Sequence, residues 1–404
     1  MTVHHLPAPP NDQELYWYFG PQRRSVLLCT SLAFVLTAAT MFTFALRTPA
    51  LADPAIGIVQ SPQCFDTDAS MSWIERAAGS AQEWFFRWIQ PSRDASDAAI
   101  CCGSNAVYRR TAIEAAGGFA KLDHSEDMYT GLALYEQGFR TLYVPVLVAK
   151  GTSPDSLASF VNQQYRWAMG NLHLLTGRDL KRMGAPWRMR LCFYEGIVGY
   201  LTMAVNIFAA PLPPLVMMYG YPDQIRPWHV LPLLAPLWLW HVLLPRVSRT
   251  RWRVEVLRAN VLMSIASGAA FLHTLRGRSA AWVPTGAGKA RPGGLARRVV
   301  LVALAWTAGS ILAAAGGLAL DVAGQGWGPN WGMLLYLLVQ AQIGLPLVRD
   351  LLAELRSTAP ARRPTDRAGM LPRRWPEGLA ITTGLTLTAL LASGWVSPML
   401  PWLG

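Results

Sequence analysis

Two short polar strings hold the residue types that could do chemistry. The first, Ser125-Glu126-Asp127, places two carboxylates at the predicted start of a helix. A carboxylate within hydrogen-bond reach can act as a general base and take the proton of an attacking hydroxyl. The alternative is structural, because Ser125 could cap the helix while Glu126 and Asp127 complement the dipole of its first turn. These three residues alone favour the structural alternative.

The second string is Gln163-Gln164-Tyr165-Arg166-Trp167, inside a predicted helix. Gln163, Arg166 and Trp167 are spaced so that they share one helix face. The neighbouring face is a predicted apolar stripe, formed by Leu157, Phe160, Val161, Tyr165, Ala168 and Leu172. A guanidinium can pair with a diphosphate through two parallel hydrogen bonds, and an indole offers a flat apolar platform for a sugar ring. The alternative is a tryptophan buried against a membrane surface and an arginine paired with a carboxylate.

Two further strings combine small and polar residues. Cys102-Gly103-Ser104-Asn105 stands where we expect a strand to end at a cleft, and Gln60-Ser61-Pro62 follows a predicted strand. Small side chains let a ligand approach the backbone closely, although a tight structural turn uses the same residues. The pair Asp66 and Asp68 has the D-x-D pattern of carboxylates that hold Mg²⁺ against substrate phosphates.

The elements that must position these strings lie in a polar segment at 51–190. Its alternating short apolar runs and helical patterns predict an α/β unit. We predict strands at 55–59 and 142–144, and helices at 74–89 and 154–175. Ser153 is the predicted N-cap of the last helix, with Pro154 at its first position.

The composition around this segment is that of a membrane protein. The chain has 404 residues, of which 52% are hydrophobic and only 15% are charged, and it contains 17 Trp. These values predict several membrane spans. The net charge of +12 does not indicate nucleic-acid binding, because the arginines flank apolar runs as they do on the cytoplasmic side of membranes. The five cysteines include no C-x-x-C pair and predict neither a disulfide framework nor a metal site.

Four regions follow from this pattern. We expect a cytoplasmic or interfacial lead at 1–24, a transmembrane helix at 25–46, the polar segment at 51–190 and a helical membrane region at 191–404. About 20 apolar residues cross a bilayer core. The last region has five or six predicted spans, at 197–218, 230–244, 254–275, 299–320, 331–348 and 379–395. The segment at 254–275 could span or lie in the interface, and Pro211, Pro213 and Pro214 predict a kink in the first span.

The charges near the first apolar run conflict with a simple topology. Arg23-Arg24 and the basic cluster between Arg178 and Arg190 both favour the cytoplasm, yet only one apolar run separates them. The N-terminus could lie outside, the run could be re-entrant, or a span could have been lost between about Leu46 and Leu51. We favour the last explanation.

Together, the strings resemble motifs of the processive, cellulose-synthase-like glycosyltransferases of family 2. Ser125-Glu126-Asp127 looks like the T-E-D or S-E-D motif of that family, whose aspartate is the general base. The string from Gln163 to Trp167 is similar to its Q-x-x-R-W motif, in which tryptophan stacks on the acceptor end and glutamine and arginine face the donor diphosphate. Cys102–Asn105 looks like its acceptor-site C-G-S-N segment, and Gln60-Ser61-Pro62 resembles its Q-T-P stretch.

The resemblance implies a fold and a function. The fold is α/β, a partial Rossmann-like glycosyltransferase-A domain inserted in a multi-pass α-helical membrane protein. The implied reaction transfers a sugar, glucose by default, from a UDP-sugar to a growing β-linked polysaccharide, which the membrane helices extrude. Asp127 would be the catalytic base with Glu126 beside it. The implied partners are the UDP-sugar donor, the polysaccharide acceptor, the lipid bilayer of the plasma membrane and a possible accessory subunit, with the catalytic segment in the cytoplasm.

The sequence departs from the family in the half of the catalytic domain that binds the sugar donor. Mg²⁺ is expected for the family, but we find no counterpart in residues 1–55 of the half that holds the uridine and the metal. Asp66 and Asp68 follow the Gln60-Ser61-Pro62 string, whereas the metal-binding pair of the family precedes it, so we expect no metal there. Trp282-Val283-Pro284-Thr285 with Lys289 resembles a loop that closes over the donor, or is a basic linker between spans. Two alternatives therefore remain, a catalytically impaired fragment that binds glucan and a transporter or channel without transferase chemistry.

Overall fold

A computed structural model describes residues 53–68, 70–122, 124–176, 184–243, 246, 255–280 and 294–356. The predicted spans at 25–46 and 379–395 and the string at 282–289 lie outside the described residues. Within the described ranges the chain is mostly helical, with two small sheets. The prediction of a partial α/β domain combined with a helical membrane region is confirmed.

The larger sheet is built around one buried strand. Its strands are β1 (Ile56–Gln60), β3 (Ala106–Tyr108) and β4 (Arg140–Tyr143), in the order β3-β1-β4. Strand β1 pairs antiparallel with β3 and parallel with β4. All five residues of β1 are buried, as the continuous apolar run before Gln60 predicts for a central strand. A second sheet pairs β2 (Cys64–Phe65) with β5 (Lys150–Gly151) in parallel.

The helices of the polar segment include those predicted at 74–89 and 154–175 and the one predicted to start near Ser125. They are α1 (Trp73–Trp84), which continues as a π-helical turn (Phe85–Ile89), then α2 (Gln90–Asp94), α3 (Arg110–Ala115), α4 (Glu126–Glu136) and α5 (Leu157–Thr176). The prediction that Ser153 caps α5 is wrong. The helix begins at Leu157, and the Ser156 hydroxyl instead accepts a hydrogen bond from the Ser159 N–H at 3.2 Å. Ser153 and Pro154 thus lie before the helix.

Four helices among the described residues are long and apolar enough to cross a bilayer. These helices are α6 (Trp187–Ala209) continuing into α7 (Leu212–Gly220), then α9 (Glu255–Leu275), α10 (Gly294–Gln325) and α11 (Trp327–Arg356). The kink predicted from the prolines is confirmed, because the helix is interrupted at Ala210 and Pro211. A proline lacks the N–H that would continue the helical hydrogen bonds. Between α7 and α9, residues 227–243 form a short 3₁₀-helix (Pro227–Val230), α8 (Leu231–Trp238) and a π-helical turn.

The chain divides into two compact units. The first contains the described residues within Met1–Phe65, Trp84–Gly151 and Arg178–Phe193, and the second contains those within Asp66–Glu83, Thr152–Gly177 and Tyr194–Gly404. In the first unit, β1 packs on α3 and α4 through a core that includes Ile58, Ala112 and Leu134.

The second unit is held together by close contacts between helices and by a few polar bonds. Gly344 of α11 lies against Thr307 and Ile311 of α10, whose side chains would be 2.9 and 2.8 Å from an added Cβ. One turn away, the Gln340 side-chain amide donates to the Ser310 hydroxyl at 2.9 Å. Small residues that let helices approach, with hydrogen bonds across the interface, are typical of membrane helix packing.

The closest of these contacts yields a stability test. A Cβ at Gly332 would clash with the backbone carbonyl of Pro227, so Gly332→Ala must displace α11 or the 3₁₀-helix. We expect it to destabilise the fold by roughly 1–3 kcal/mol, the usual effect of overpacking. The measurement is the thermal unfolding midpoint of the purified protein in detergent. Gly309→Ala in α10 is the matched control, because nothing lies within 4 Å of its added Cβ. An equal loss in both variants would contradict this interpretation.

Candidate functional site

The side chain of Gln60 joins two of the predicted strings in the first unit. It stands at the carboxyl end of β1 and is fully buried, with 0% of its surface exposed. Its Oε1 accepts a hydrogen bond from the Cys102 N–H at 2.8 Å. Its Nε2 donates to the carbonyl oxygens of Ser104 and Ser61 at 2.8 and 2.7 Å. One amide group therefore fixes the loop at 102–105 to the end of the strand.

The same two strings also bond to each other through Asn105. Its carbonyl accepts hydrogen bonds from the Ser61 N–H at 2.9 Å and the Ser61 hydroxyl at 3.0 Å. Its side-chain amide donates to the Pro62 carbonyl at 2.8 Å. The string Cys102–Asn105 precedes β3, so the expectation that it ends a strand is wrong. A strand was expected there because small residues commonly follow one, whereas here the turn leads the chain into β3.

Asp127 lies beside this turn. Gly103 has a φ of 75° and Asn105 a φ of 55°, both in the left-handed region that glycine and asparagine adopt most readily. A Cβ added to Gly103 would lie 3.1 Å from Asp127 Oδ2, so the carboxylate approaches the backbone of this loop closely. The other carboxylate oxygen, Oδ1, accepts the Met128 N–H at 2.7 Å. Asp127 is half-buried, and Glu126 is exposed.

The start of α4 is not held by a serine cap. Ser125 stands at the N-cap position with a φ of 56°, and its hydroxyl makes no capping hydrogen bond. The structural alternative from the sequence is therefore wrong about Ser125, because a left-handed serine does not direct its hydroxyl to the first free N–H groups. The far end of α4 closes at Gly138, which has a φ of 84°, and the Phe139 N–H donates to the Leu134 carbonyl at 3.1 Å.

The thiols behind the turn are neutral at physiological pH. Burial, with a smaller contribution from the Asp127 carboxylate, raises the pKa of Cys101 to about 11 and that of Cys102 well above its usual value. The Cys101 sulfur lies 3.1 Å from the Tyr108 hydroxyl. A protonated thiol is neither a nucleophile nor a metal ligand. These cysteines therefore contribute shape and neutral hydrogen bonding.

The described residues do not fit Mg²⁺. No three His, Cys, Asp or Glu side chains in the described ranges are arranged to hold a metal ion. In the D-x-D pair, Asp68 Oδ1 accepts hydrogen bonds from both the backbone N–H and the hydroxyl of Ser70, each at 2.6 Å. This oxygen is already hydrogen-bonded within a local turn. The reaction proposed below therefore includes no step at a metal ion.

The second unit holds the other predicted string on α5. The apolar stripe predicted for this helix is buried throughout, and its members are Leu157, Phe160, Val161, Tyr165, Ala168 and Leu172. This stripe packs against α9 and α10. On the neighbouring face, Gln163 is buried while Arg166 and Trp167 are half-buried. Gln163 Oε1 has no hydrogen-bond partner among the described residues. A buried amide oxygen without a donor is costly, so this face favours a ligand that donates hydrogen bonds.

The structure thus assembles the predicted site residues in two groups. The first unit brings together Gln60, Ser61, Pro62, Cys102, Gly103, Ser104, Asn105, Glu126 and Asp127, and the second unit places Gln163, Arg166 and Trp167 on one helix. Sequence reasoning did not identify Gln60 as the residue whose hydrogen bonds hold the first group together. The available signal was a lone polar residue at the end of the apolar run Ile56–Val59.

The chain is similar in sequence to proteins of one known family. Residues 43–245 match the family described as glycosyl transferase family group 2. Cellulose synthase 1 of Komagataeibacter xylinus is 30% identical over 175 residues, 42% of this chain and 11% of that protein. The cellulose synthase catalytic subunit (UDP-forming) of Pseudomonas fluorescens is 29% identical over 174 residues, 42% of this chain and 24% of that protein. The subunit of the same name from Xanthomonas axonopodis pv. citri is 33% identical over 159 residues, 37% of this chain and 21% of that protein. The match therefore spans less than a quarter of each relative.

Gln60 yields the test of this site. Gln60→Glu keeps the shape of the side chain but replaces the Nε2 donor, so that a carboxylate oxygen would face the Ser61 and Ser104 carbonyls. We expect a loss of roughly 2–4 kcal/mol in stability, because buried acceptors are left without donors. The measurement is thermal unfolding followed by intrinsic fluorescence. Gln137→Glu, at an exposed position of the same unit, should change stability by less than about 1 kcal/mol. Similar losses in the two variants would refute the role of Gln60.

Proposed function

We propose that this chain, which belongs to glycosyl transferase family group 2, acts as a membrane-embedded, processive, inverting glycosyltransferase. It would transfer a sugar from a UDP-sugar to the end of a growing β-linked polysaccharide and extrude the product. The observation that carries the proposal is the Asp127 carboxylate, which lies beside Gly103 in the loop Cys102–Asn105, while the buried Gln60 side chain holds this loop in place. The surface of the loop suits an acceptor, because Gly103 is exposed next to the carboxylate.

Asp127 would act as the general base. A sugar hydroxyl is a poor nucleophile until its proton is removed. The hydroxyl would give its proton to Asp127, its oxygen would form the new bond to the anomeric carbon, and the bond from that carbon to the diphosphate would break, so that UDP leaves with the electron pair. The Met128 N–H at Oδ1 holds the carboxylate in one orientation, and Glu126 adds a second negative charge at the exposed side.

The face of α5 would bind the two substrates. Arg166 matches a diphosphate by charge and geometry, and Trp167 offers the platform on which the acceptor sugar stacks. The buried Gln163 oxygen without a donor among the described residues supports this role, since a sugar hydroxyl would satisfy it. The relatives are named cellulose synthases, which supports glucose as the sugar. We further propose a plasma-membrane location, with the catalytic segment in the cytoplasm, where UDP-sugars are made, and an accessory subunit as partner; the four helices that are long and apolar enough to cross a bilayer support the membrane location.

The direct test is polymer synthesis by an Asp127 variant. Asp127→Asn keeps the size of the side chain but cannot accept the proton, so we expect incorporation of labelled glucose from UDP-glucose into polymer to fall by about 10²–10⁴-fold. The assay uses the full chain in lipid nanodiscs. Asp97→Asn is the control, because Asp97 forms only an exposed ion pair with Arg140 at 3.1 Å. A full rate with Asp127→Asn would exclude this base, and no incorporation by the unmodified chain would favour a transporter or a fragment that only binds glucan.

A matched pair of glycines tests the acceptor surface. Gly103 and Gly117 both have positive φ, at 75° and 78°, so an alanine at either position is strained by roughly 1–2 kcal/mol. Only at Gly103 does the new methyl meet a carboxylate, since nothing lies within 4 Å of an added Cβ at Gly117. We expect similar unfolding midpoints for Gly103→Ala and Gly117→Ala, and a fall in the polymerisation rate for Gly103→Ala alone. Equal rates in the two variants would mean that the acceptor binds elsewhere.

A further inference from the structure

Tyr165 lies inside the string Gln163–Trp167 but faces away from its polar side. Only 2% of the residue is exposed, and it belongs to the buried stripe of α5. Its ring meets the imidazole of His273 edge-on, with ring centroids 5.6 Å apart and planes at 78°. Packing alone would be satisfied by phenylalanine, so the hydroxyl requires a separate explanation.

The hydroxyl joins two other parts of the second unit. The Tyr165 oxygen lies 2.7 Å from Nδ1 of His273 and accepts a hydrogen bond from the Ala280 N–H at 2.9 Å. Because the Ala280 N–H already donates to the oxygen, the hydroxyl proton is available for Nδ1. Both hydrogen bonds form when His273 is neutral with its proton on Nε2, because Nδ1 is then free to accept a hydrogen bond from the hydroxyl. The tyrosine then acts as acceptor and donor at once.

Both partners lie at the carboxyl end of α9. Gly277, with a φ of 59°, turns the chain, and the Arg278 N–H donates to the His273 carbonyl at 2.9 Å. This C-terminal cap reverses the backbone, and Ala280 then returns to α5. One helical turn along α5, the Thr274 hydroxyl lies 3.6 Å from the Met169 sulfur. The end of α9 is therefore tied to α5 by a directional pair of hydrogen bonds within an otherwise apolar contact.

We propose that Tyr165 is a positioning residue, whose hydroxyl fixes the rotation and height of α5 and thereby the placement of Gln163, Arg166 and Trp167 on its neighbouring face. This inference rests on the function proposed above. Apolar side chains can slide past one another at little cost, whereas a hydrogen bond weakens steeply when its angle or distance changes. Small misplacements of groups that hold a substrate reduce rates strongly, so the tie matters for the reaction more than for the fold.

The test removes the hydroxyl and then its partner in the full chain in nanodiscs. Tyr165→Phe keeps the ring, His273→Leu removes the acceptor, and His273→Asn keeps a polar group near the position of Nδ1. Tyr219→Phe is the matched control, because the Tyr219 hydroxyl donates to a backbone carbonyl of α10 at 2.9 Å outside the site. Each variant is measured for glucose incorporation from UDP-glucose, for its unfolding midpoint and for hydrogen exchange at the Ala280 amide.

We expect Tyr165→Phe and His273→Leu to lower the rate about tenfold, with no further loss when they are combined, while the unfolding midpoint of Tyr165→Phe stays that of the unmodified protein. His273→Asn and Tyr219→Phe should retain the rate. Exchange at Ala280 should accelerate in Tyr165→Phe, and the Arg278 amide should stay protected.

An unchanged rate in Tyr165→Phe, or a rate that falls only together with the midpoint, would overturn the positioning role. Unchanged exchange at Ala280 would overturn the tie itself. A lack of polymer from the unmodified chain would instead refute the proposed function, and the exchange result would then decide the tie alone.

Discussion

The buried amide of Gln60 is the interaction on which the first unit's site depends. A side chain with no exposure to water must find partners inside the protein, and at the end of β1 these partners are backbone groups of Cys102, Ser61 and Ser104. Because the loop is held against the end of β1, it can enter β3 only through a tight turn. This turn explains the left-handed backbone conformation of Gly103 and Asn105. The close approach of Asp127 is possible because this turn brings a glycine to the surface. The position of the carboxylate thus follows from one amide on a neighbouring strand.

Sequence reasoning succeeded where the determining forces are local. The apolar run before Gln60 gave a buried strand, the stripe from Leu157 to Leu172 gave α5, and the prolines near Pro211 gave the interruption between α6 and α7. It failed where the outcome depends on distant partners or on small energy differences. Ser153 and Ser156 are equally good capping residues by type, and only the path of the preceding chain selects Ser156. Periodicity assigned Tyr165 to an apolar stripe, but its bond to His273 joins residues 108 positions apart.

In the second unit, the proposed substrate-binding face of α5 is supported by helices long and apolar enough to cross a bilayer. The buried stripe of α5 packs on α9 and α10, and α9 is also tied to α1 by the Arg76–Glu255 ion pair at 2.9 Å. A partly buried ion pair of this kind is costly to break, since either partner would be left charged without compensation. Glu255 stands at the first position of α9 and Tyr165 contacts its last turn, so both ends of this helix have directional contacts. A helix fixed at both ends is a rigid support for the residues on α5.

The buried thiols beside Asp127 add no negative charge to the first unit at neutral pH. The ionised Asp127 carboxylate raises the pKa of the neighbouring thiols, which burial has already raised, so Cys101 and Cys102 stay protonated. In the proposed reaction, neutral thiols would not compete with the carboxylate for the proton of an incoming hydroxyl, and they would add no negative charge to repel a diphosphate. Keeping the sulfur atoms buried beside the turn therefore leaves the proton-accepting role in the proposed reaction to the carboxylates at the start of α4.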